Sequence, residues 1–383
     1  MGISFDNTEI AFKNKSNNDL KKAKVLFKSF DYPILLTYGP FLAKISLMLG
    51  LKKLVKETIF HQFCGGEDIH ECTKTIENLS KSGIGTILDY SVEGEDNETA
   101  FENTKVEIIR TIHTASGNEK VPFAVFKVTG IISQELLEKK SNDSLFSDSE
   151  QSLWNNGTSR FNQICTEAYS NNVRLFIDAE ETWIQSAIDE LAENAMAEFN
   201  TERCIIYNTV QLYRVDRLSY LKKQIEENTH FLGFKLVRGA YMEKERARAN
   251  ELKYPDPIQP NKESTDRDYN EALNLCIKNI QKVSICAGTH NEVSSLNGVK
   301  WLQEMNIAST DNRMYFSQLL GMSDHISFNL SNAGYNVAKY VPYGPVAAVI
   351  PYLTRRAQEN SSVAGQIGRE LSLIQTELTR RSK

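Results

Sequence analysis

Eight short apolar runs, each followed by a longer stretch of helical spacing, dominate the chain from about residue 80 onward. In order they are "GTILDYSVE", "VPFAVFKVTGI", "VRLFIDAEE", "CIIYNTVQLY", "GFKLVRGAY", "VSICAGTHN", "MYFSQLLGM" and "AKYVPYG". Near-continuous apolar strands alternating with helices belong to a parallel sheet covered on both faces. Eight such units in about 300 residues predict an α/β fold, a distorted (β/α)8 barrel over 81–383. Losing one strand from the count would return an open doubly wound sheet, which stays as the alternative. Residues 1–80 read as an N-terminal helical arm, because "LKKLVKETIFHQFC" places Leu51, Leu54, Val55 and Ile59 at helical intervals.

The composition limits what such a barrel does. With 383 residues, 24% charged and a net charge of -5, nothing points to nucleic acid. Six cysteines occur without a CxxC pair or metal-ligand spacing to any of the six histidines, so no metal is expected and the thiols suit a reducing compartment. The N-terminus lacks an apolar signal region, which predicts a cytoplasmic protein. The stretch from Pro33 to Leu51 is apolar but broken by Gly39, Pro40 and Lys44. It reads either as a helix pair packed on the core or as a peripheral membrane contact, and not as a span.

Two stretches interrupt the pattern. Lys139 to Arg160, rich in Ser, Asn and Asp, reads as a long surface connection between the second and third strands. Lys253 to Asp266 carries three prolines and no periodicity, so it is either a cover for a site or a plain excursion. "GIGTIL" at Gly83 precedes its strand and lacks a third glycine, so it is not a dinucleotide fingerprint. Gly344, between the eighth strand and a helix near Val346, leaves free N–H groups for an anion or is simply a turn. The pair Arg380 and Arg381 reads as a charged tail.

Chemistry in a barrel of this kind lies at the C-terminal strand ends. There the sequence places Lys127, then Asp178 with Glu180 and Glu181, then Gln211, Lys235 with Arg238 before Gly239, and Thr289, His290 and Asn291. A lone buried lysine such as Lys127 requires a partner or a ligand. One such residue suggests a structural ion pair, whereas a polar group on consecutive strands suggests a ring around a ligand. After the eighth strand, "YLTRRAQENSS" sets Arg355 and Arg356 side by side, with Glu359 at helical spacing to both. They form either a solvated helix face or a double guanidinium fork for a small carboxylate.

Taken together, "FCGGED", "ILDYSVEG", "KLVRGAYMEKERARA", "CAGTHNEVSS", "YFSQLLGM" and "KYVPYGPVAAVIPYLTRRAQEN" resemble the motifs of proline dehydrogenases of the monofunctional form, over roughly Phe60 to Val363. The resemblance implies a flavoenzyme with FAD at the barrel mouth. It would oxidise L-proline to 1-pyrroline-5-carboxylate by hydride transfer to flavin N5. A quinone-type acceptor would reoxidise the flavin, and a separate pyrroline-5-carboxylate dehydrogenase chain would take the next step.

By the same resemblance, Arg355, Arg356 and Lys127 hold the substrate carboxylate, and Tyr241, Leu319 and Tyr340 wall its ring. Asp178 and Lys235 are catalytic or flavin-tuning. Ala179, Gln211, Lys235, Arg238, Gly239, Ala240, Thr289 and His290 bind FAD, while Glu95 gates the site; Glu359, by its helical spacing, orients the arginines. At 235 many members carry arginine, so the lysine keeps the charge without the bidentate fork. Three other readings of the residues stay open: a Schiff-base lyase using Lys127 or Lys235, a different flavin barrel such as a folate-reducing enzyme, and a metabolite-binding barrel without catalysis.

Overall fold

The computed structural model describes residues 3–29, 53, 56–92, 96–353 and 366–383. Eight parallel strands follow one another in chain order and close into a barrel, which removes the open-sheet alternative. They are β1 (Ile84–Tyr90), β2 (Phe123–Lys127), β3 (Arg174–Asp178), β4 (Ile206–Gln211), β5 (Leu232–Val237), β6 (Val283–Gly288), β7 (Met314–Leu319) and β8 (Val337–Tyr343). Five lie wholly within one of the eight apolar runs, and β1, β5 and β8 each begin one residue before theirs. Every residue of β4 and of β8 is buried, as expected for strands covered on both faces.

Helices occupy the connections. Before the barrel come α1 (Thr8–Ala11), α2 (Asn17–Ser29) and α3 (Ile69–Ser80). Between strands lie α4 (Glu98–Ala115), α5 (Gln134–Ser141), α6 (Asp148–Ser170), α7 (Thr182–Phe199), α8 (Arg217–Glu227), α9 (Met242–Leu252), α10 (Lys262–Lys278), α11 (Glu292–Glu304) and α12 (Asp324–Asn332). The chain closes on α13 (Gln366–Arg381).

The chain forms two compact units, residues 1–94 with 318–383, and residues 95–317. In the first, the helices of the N-terminal segment and α13 share an apolar core that includes Phe12, Leu20, Phe27, Phe60, Phe63, Leu373 and Ile374. Phe27 and Phe63 meet edge to face at 6.5 Å. The terminal arginines are not a free charged tail. Arg380 and Arg381 both reach the buried Glu377, and Arg381 also donates to the carbonyls of Phe12 and Lys15. Glu377 in turn accepts from the Thr8 hydroxyl at 2.9 Å, so this cluster clips the last helix to the first.

In the second unit, strand register packs an aromatic plug beneath the mouth. Phe123 and Phe176 stack at 4.4 Å, Tyr207 sets its edge against both, and the Arg174 guanidinium lies 5.0 Å from the Phe123 ring. The stretch 139–160, expected as a surface connection, is mostly helix: it holds the end of α5 and the first half of α6. Its Ser, Asn and Asp residues are polar because one face is solvated, not because the backbone is irregular. Ser147 and Glu150 form a complete capping box, and buried Arg160 reaches both oxygens of Glu98.

The proline-bearing stretch is irregular only up to Asn261, which caps α10. It runs beside the segment after β4, where Val215 N–H donates to Pro257 O at 3.0 Å and Gln259 N–H to Tyr213 O at 2.6 Å. Gly83 occupies a left-handed turn (φ 68°) just before β1, consistent with a connection and not a phosphate loop. Arg355, Arg356, Glu359, Glu95 and the apolar stretch 33–51 lie outside the described residues. Among the described residues no helix is long and apolar enough to cross a membrane, and no cluster of His, Cys, Asp and Glu could hold a metal ion.

Candidate active site at the strand ends

Parallel in-register pairing puts side chains of neighbouring strands on the same face at the same height. Lys127 is the register partner of Asp178, and Lys235 pairs with Thr209 and Cys286. Lys235 forms an ion pair with Asp178. Its ammonium also stands 5.5 Å from the centre of the Phe176 ring, so the aromatic plug supports it from below. Lys235 is buried while Asp178 is half-buried, which leaves the carboxylate as the wetter member of the pair.

Beside this pair the chain turns sharply at "DAEET". Ala179 is buried, and the Glu180 backbone carbonyl accepts from Gln211 Nε2 at 2.7 Å, fixing the side chain of the next strand's last residue. The Glu180 carboxyl accepts from the Thr129 N–H at 3.0 Å and from its hydroxyl. Burial pushes this carboxyl up to about 7; the Thr129 bonds and the nearby Lys127 cation oppose the shift without cancelling it.

Past β5, Arg238 lies at the centre of a compact polar cluster. It donates to Asp266 at 2.7 Å, to the Thr289 hydroxyl at 2.7 Å and to Ser294 Oγ at 2.9 Å, and its guanidinium lies 4.4 Å from the Tyr269 ring. Burial alone would raise the Asp266 carboxyl, but Lys262 and Arg238 outweigh it and hold the group below its ordinary range. Gly239 follows with φ 143°, and a Cβ there would sit 2.3 Å from the Tyr213 ring. Only glycine fits. Gly239 and Ala240 are exposed, so this stretch presents open backbone next to a guanidinium, with Tyr241 half-buried behind it. Thr289 is buried and half-buried His290 lies next along the chain, just before the Asn291 cap of α11.

The structure therefore brings Asp178 with Lys235, and Arg238 with Thr289, into direct contact. In the other unit, Tyr340 is buried on β8, its carbonyl accepting from Leu320 N–H at 2.8 Å, and Leu319 ends β7. Asp266, Ser294, Glu180 and Tyr213 were not singled out as site residues. Only Glu180 carried a signal in the sequence, through its place in a strand-end acidic run; nothing along the chain ties 266 or 294 to 238. A separate polar cleft of about 460 Å³ is lined by residues of α7, of α8 and of the turn between β4 and α8. Its arginines, Arg214 and Arg217, are engaged by Asp216 and Asp189, so its chemistry is structural.

Comparison with known proteins identifies what this arrangement belongs to. The family profile described as Proline dehydrogenase matches residues 72–369. A hydroxyproline dehydrogenase from Xenopus laevis is 31% identical over 97% of this chain and 88% of its own length. The mitochondrial proline dehydrogenase 1 of Dictyostelium discoideum is 32% identical over 88% of this chain and 67% of its own. The human mitochondrial proline dehydrogenase 1 is 40% identical over 62% of this chain and 41% of its own. Among solved structures, proline utilization A from Bdellovibrio bacteriovorus superposes with a TM-score of 0.74 at 18% identity, covering 95% of this chain and 40% of that one, a likeness of fold. The chain belongs to the proline dehydrogenase family and is an oxidoreductase of that family.

Proposed function

We propose that this protein binds FAD at the strand ends of β3 to β6 and oxidises L-proline to 1-pyrroline-5-carboxylate, the first step of proline catabolism, with a quinone-type acceptor closing the cycle. The single observation that carries the reading is the Lys235–Asp178 pair, set at the mouth over the Phe176 ring in a chain of this family. The donor chemistry fits a phosphate-bearing flavin: a guanidinium fork at Arg238, the Thr289 hydroxyl, and an exposed Gly239–Ala240 backbone where a side chain at 239 would strike the Tyr213 ring.

Bound FAD supplies a two-electron acceptor for the hydride that leaves the ring carbon next to nitrogen. Lys235 offers a fixed positive charge that needs no reorganisation during the reaction, since Asp178 and the Phe176 ring already hold its ammonium. Lys127, beside Asp178 in register, supplies a second cation suited to a carboxylate. Gln211 is held by the Glu180 carbonyl with its amide oxygen left to accept. Arg238, Gly239, Ala240, Thr289 and His290 carry the flavin contacts, Ala179 lines them, and Tyr241 lies against the substrate. Leu319 and Tyr340, and likewise Arg355, Arg356 and Glu95, keep the roles the resemblance gives them, and Glu359 keeps the one its spacing gives it.

The test is to purify the protein, record its visible spectrum and add L-proline without oxygen. Flavin bands that bleach support the reading. Bands that bleach with hydroxyproline alone would keep the flavin and change the substrate. A colourless protein that borohydride traps with a carbonyl substrate would favour the Schiff-base lyase.

A further inference from the structure

The helix that follows the Arg238–Tyr241 segment is unusual for a barrel. α9, "MEKERARANEL", has no apolar stripe, and only Glu245 and Ala249 of it are buried. Hydrophobic burial therefore does not hold it in place. Polar contacts do. Three of its residues meet three consecutive residues at the start of α7: Lys244 pairs with Glu181, Glu245 receives Thr182, and the Arg248 guanidinium lies 4.4 Å from the Trp183 ring.

The central contact is the most buried. Glu245 is 0% exposed; one of its oxygens accepts the Thr182 N–H at 2.7 Å and the other the Thr182 hydroxyl. The first turn of α7 needs this, because Glu181, its N-cap residue, makes no side-chain capping bond of its own. A carboxylate there also sits at the positive end of α7. Glu245 thus caps, from another helix, the helix that follows Asp178 and Ala179. Its own N–H donates to Tyr241 O at 2.9 Å, so the same residue forms the first turn that fixes Tyr241.

We propose that Glu245 is a positioning residue that sets the Gly239–Tyr241 backbone against the Asp178–Glu180 turn, and thereby sets flavin affinity and the KM for proline without touching either. The inference rests on the functional reading above. It is tested in the full-length protein with Glu245→Ala, Glu245→Gln and Thr182→Val. Three quantities are read: FAD affinity by flavin fluorescence quenching, KM against kcat for proline, and amide hydrogen exchange at 238–242, which needs no flavin.

Glu245→Ala is expected to weaken FAD binding about tenfold or more, raise KM more than it lowers kcat, and speed exchange at 238–242. Glu245→Gln, which keeps an acceptor for the Thr182 N–H, should return FAD affinity to within about threefold of wild type. Thr182→Val, which keeps the N–H and removes the hydroxyl, should fall between the two. If Glu245→Ala does not fold, the other two variants decide the matter. Unchanged exchange at 238–242 in the variants overturns the proposal, as does a loss of stability with wild-type FAD affinity and KM. A wild-type protein that binds no FAD overturns the functional reading instead, while the exchange data still judge the tie between the two segments.

Discussion

Among the described residues, the buried strand lysines Lys339 and Lys235 each pair with an aspartate, and the two pairs do opposite things. Lys339 on β8 is 0% exposed. It donates to Asp324 at 2.7 Å and to the carbonyls of Met322 and Leu319 at 2.6 and 3.3 Å, while Asp324 also receives Lys15 at 2.7 Å. Its ammonium has three oxygen partners within hydrogen-bonding reach, so little of it is left for a ligand. Lys235 has the same chemical partner type but leans on an aromatic face, and its aspartate is half-buried. A charge whose aspartate is buried deep against backbone carbonyls builds the fold; a charge whose aspartate is half-buried at a strand end lies within reach of a reaction. Lysine in a strand does not say which of the two it is. Its neighbours do.

The comparison predicts a sharp split between the same substitution at the two pairs. Asp324→Asn leaves the buried Lys339 ammonium without its anion, so denaturant unfolding should show a loss of about 3 to 5 kcal/mol, with turnover per folded molecule within about threefold of wild type. A smaller loss would mean that the carbonyls alone suffice.

A third carboxyl sharpens the contrast, because Glu180 is buried with hydroxyl and N–H donors in contact and a cation only nearby. Its folded-state value, about 7, lies above the ordinary 4.5, so the folded protein holds the proton that the unfolded chain releases. Stability should fall by about 3 kcal/mol as pH rises from about 4.5 to 7, and Glu180→Gln should flatten that slope in pH-dependent unfolding. A wild-type slope that persists in the variant would assign it to another group.

Asp178→Asn should behave inversely to Asp324→Asn. Its carboxylate is only half-buried, so stability should fall by about 1 to 3 kcal/mol, less than for Asp324→Asn. In steady-state kinetics kcat/KM for proline should drop about a hundredfold, or about 2.7 kcal/mol of transition-state stabilisation. Equal effects of Asp178→Asn and Asp324→Asn on stability and on kinetics would erase the distinction drawn between the pairs. The smallest effect is expected at the exposed cap of α6, where Ser147→Ala should cost about 1 kcal/mol and leave kinetics unchanged.

How far the sequence reaches depends on how local the determinant is. The strands were legible because burial on both faces forces apolar runs, and the strand-end polar residues were legible because they interrupt those runs. The 139–160 stretch was misjudged because a solvated helix and a loop share the same polar composition; only the Ser147–Glu150 spacing marks it as helix. That Lys235, two strands away from Asp178, reaches it to form an ion pair follows from the strand register of the closed barrel, which no spacing along the chain records. Likewise Asp266 and Ser294 reach Arg238 from helices distant in the chain. The terminal Arg380 and Arg381 looked like a tail because a basic pair near an end has no local sign of the buried Glu377 it serves, although that glutamate lies three and four residues earlier.

The most direct measurement is the anaerobic titration of the purified protein with L-proline while its visible absorbance is followed, in wild type and in Asp178→Asn. The account predicts a yellow wild-type protein whose flavin bands bleach on adding L-proline, and an Asp178→Asn variant that stays yellow but bleaches about a hundredfold more slowly. A wild-type protein without flavin bands, or one whose bands L-proline leaves untouched, would contradict it.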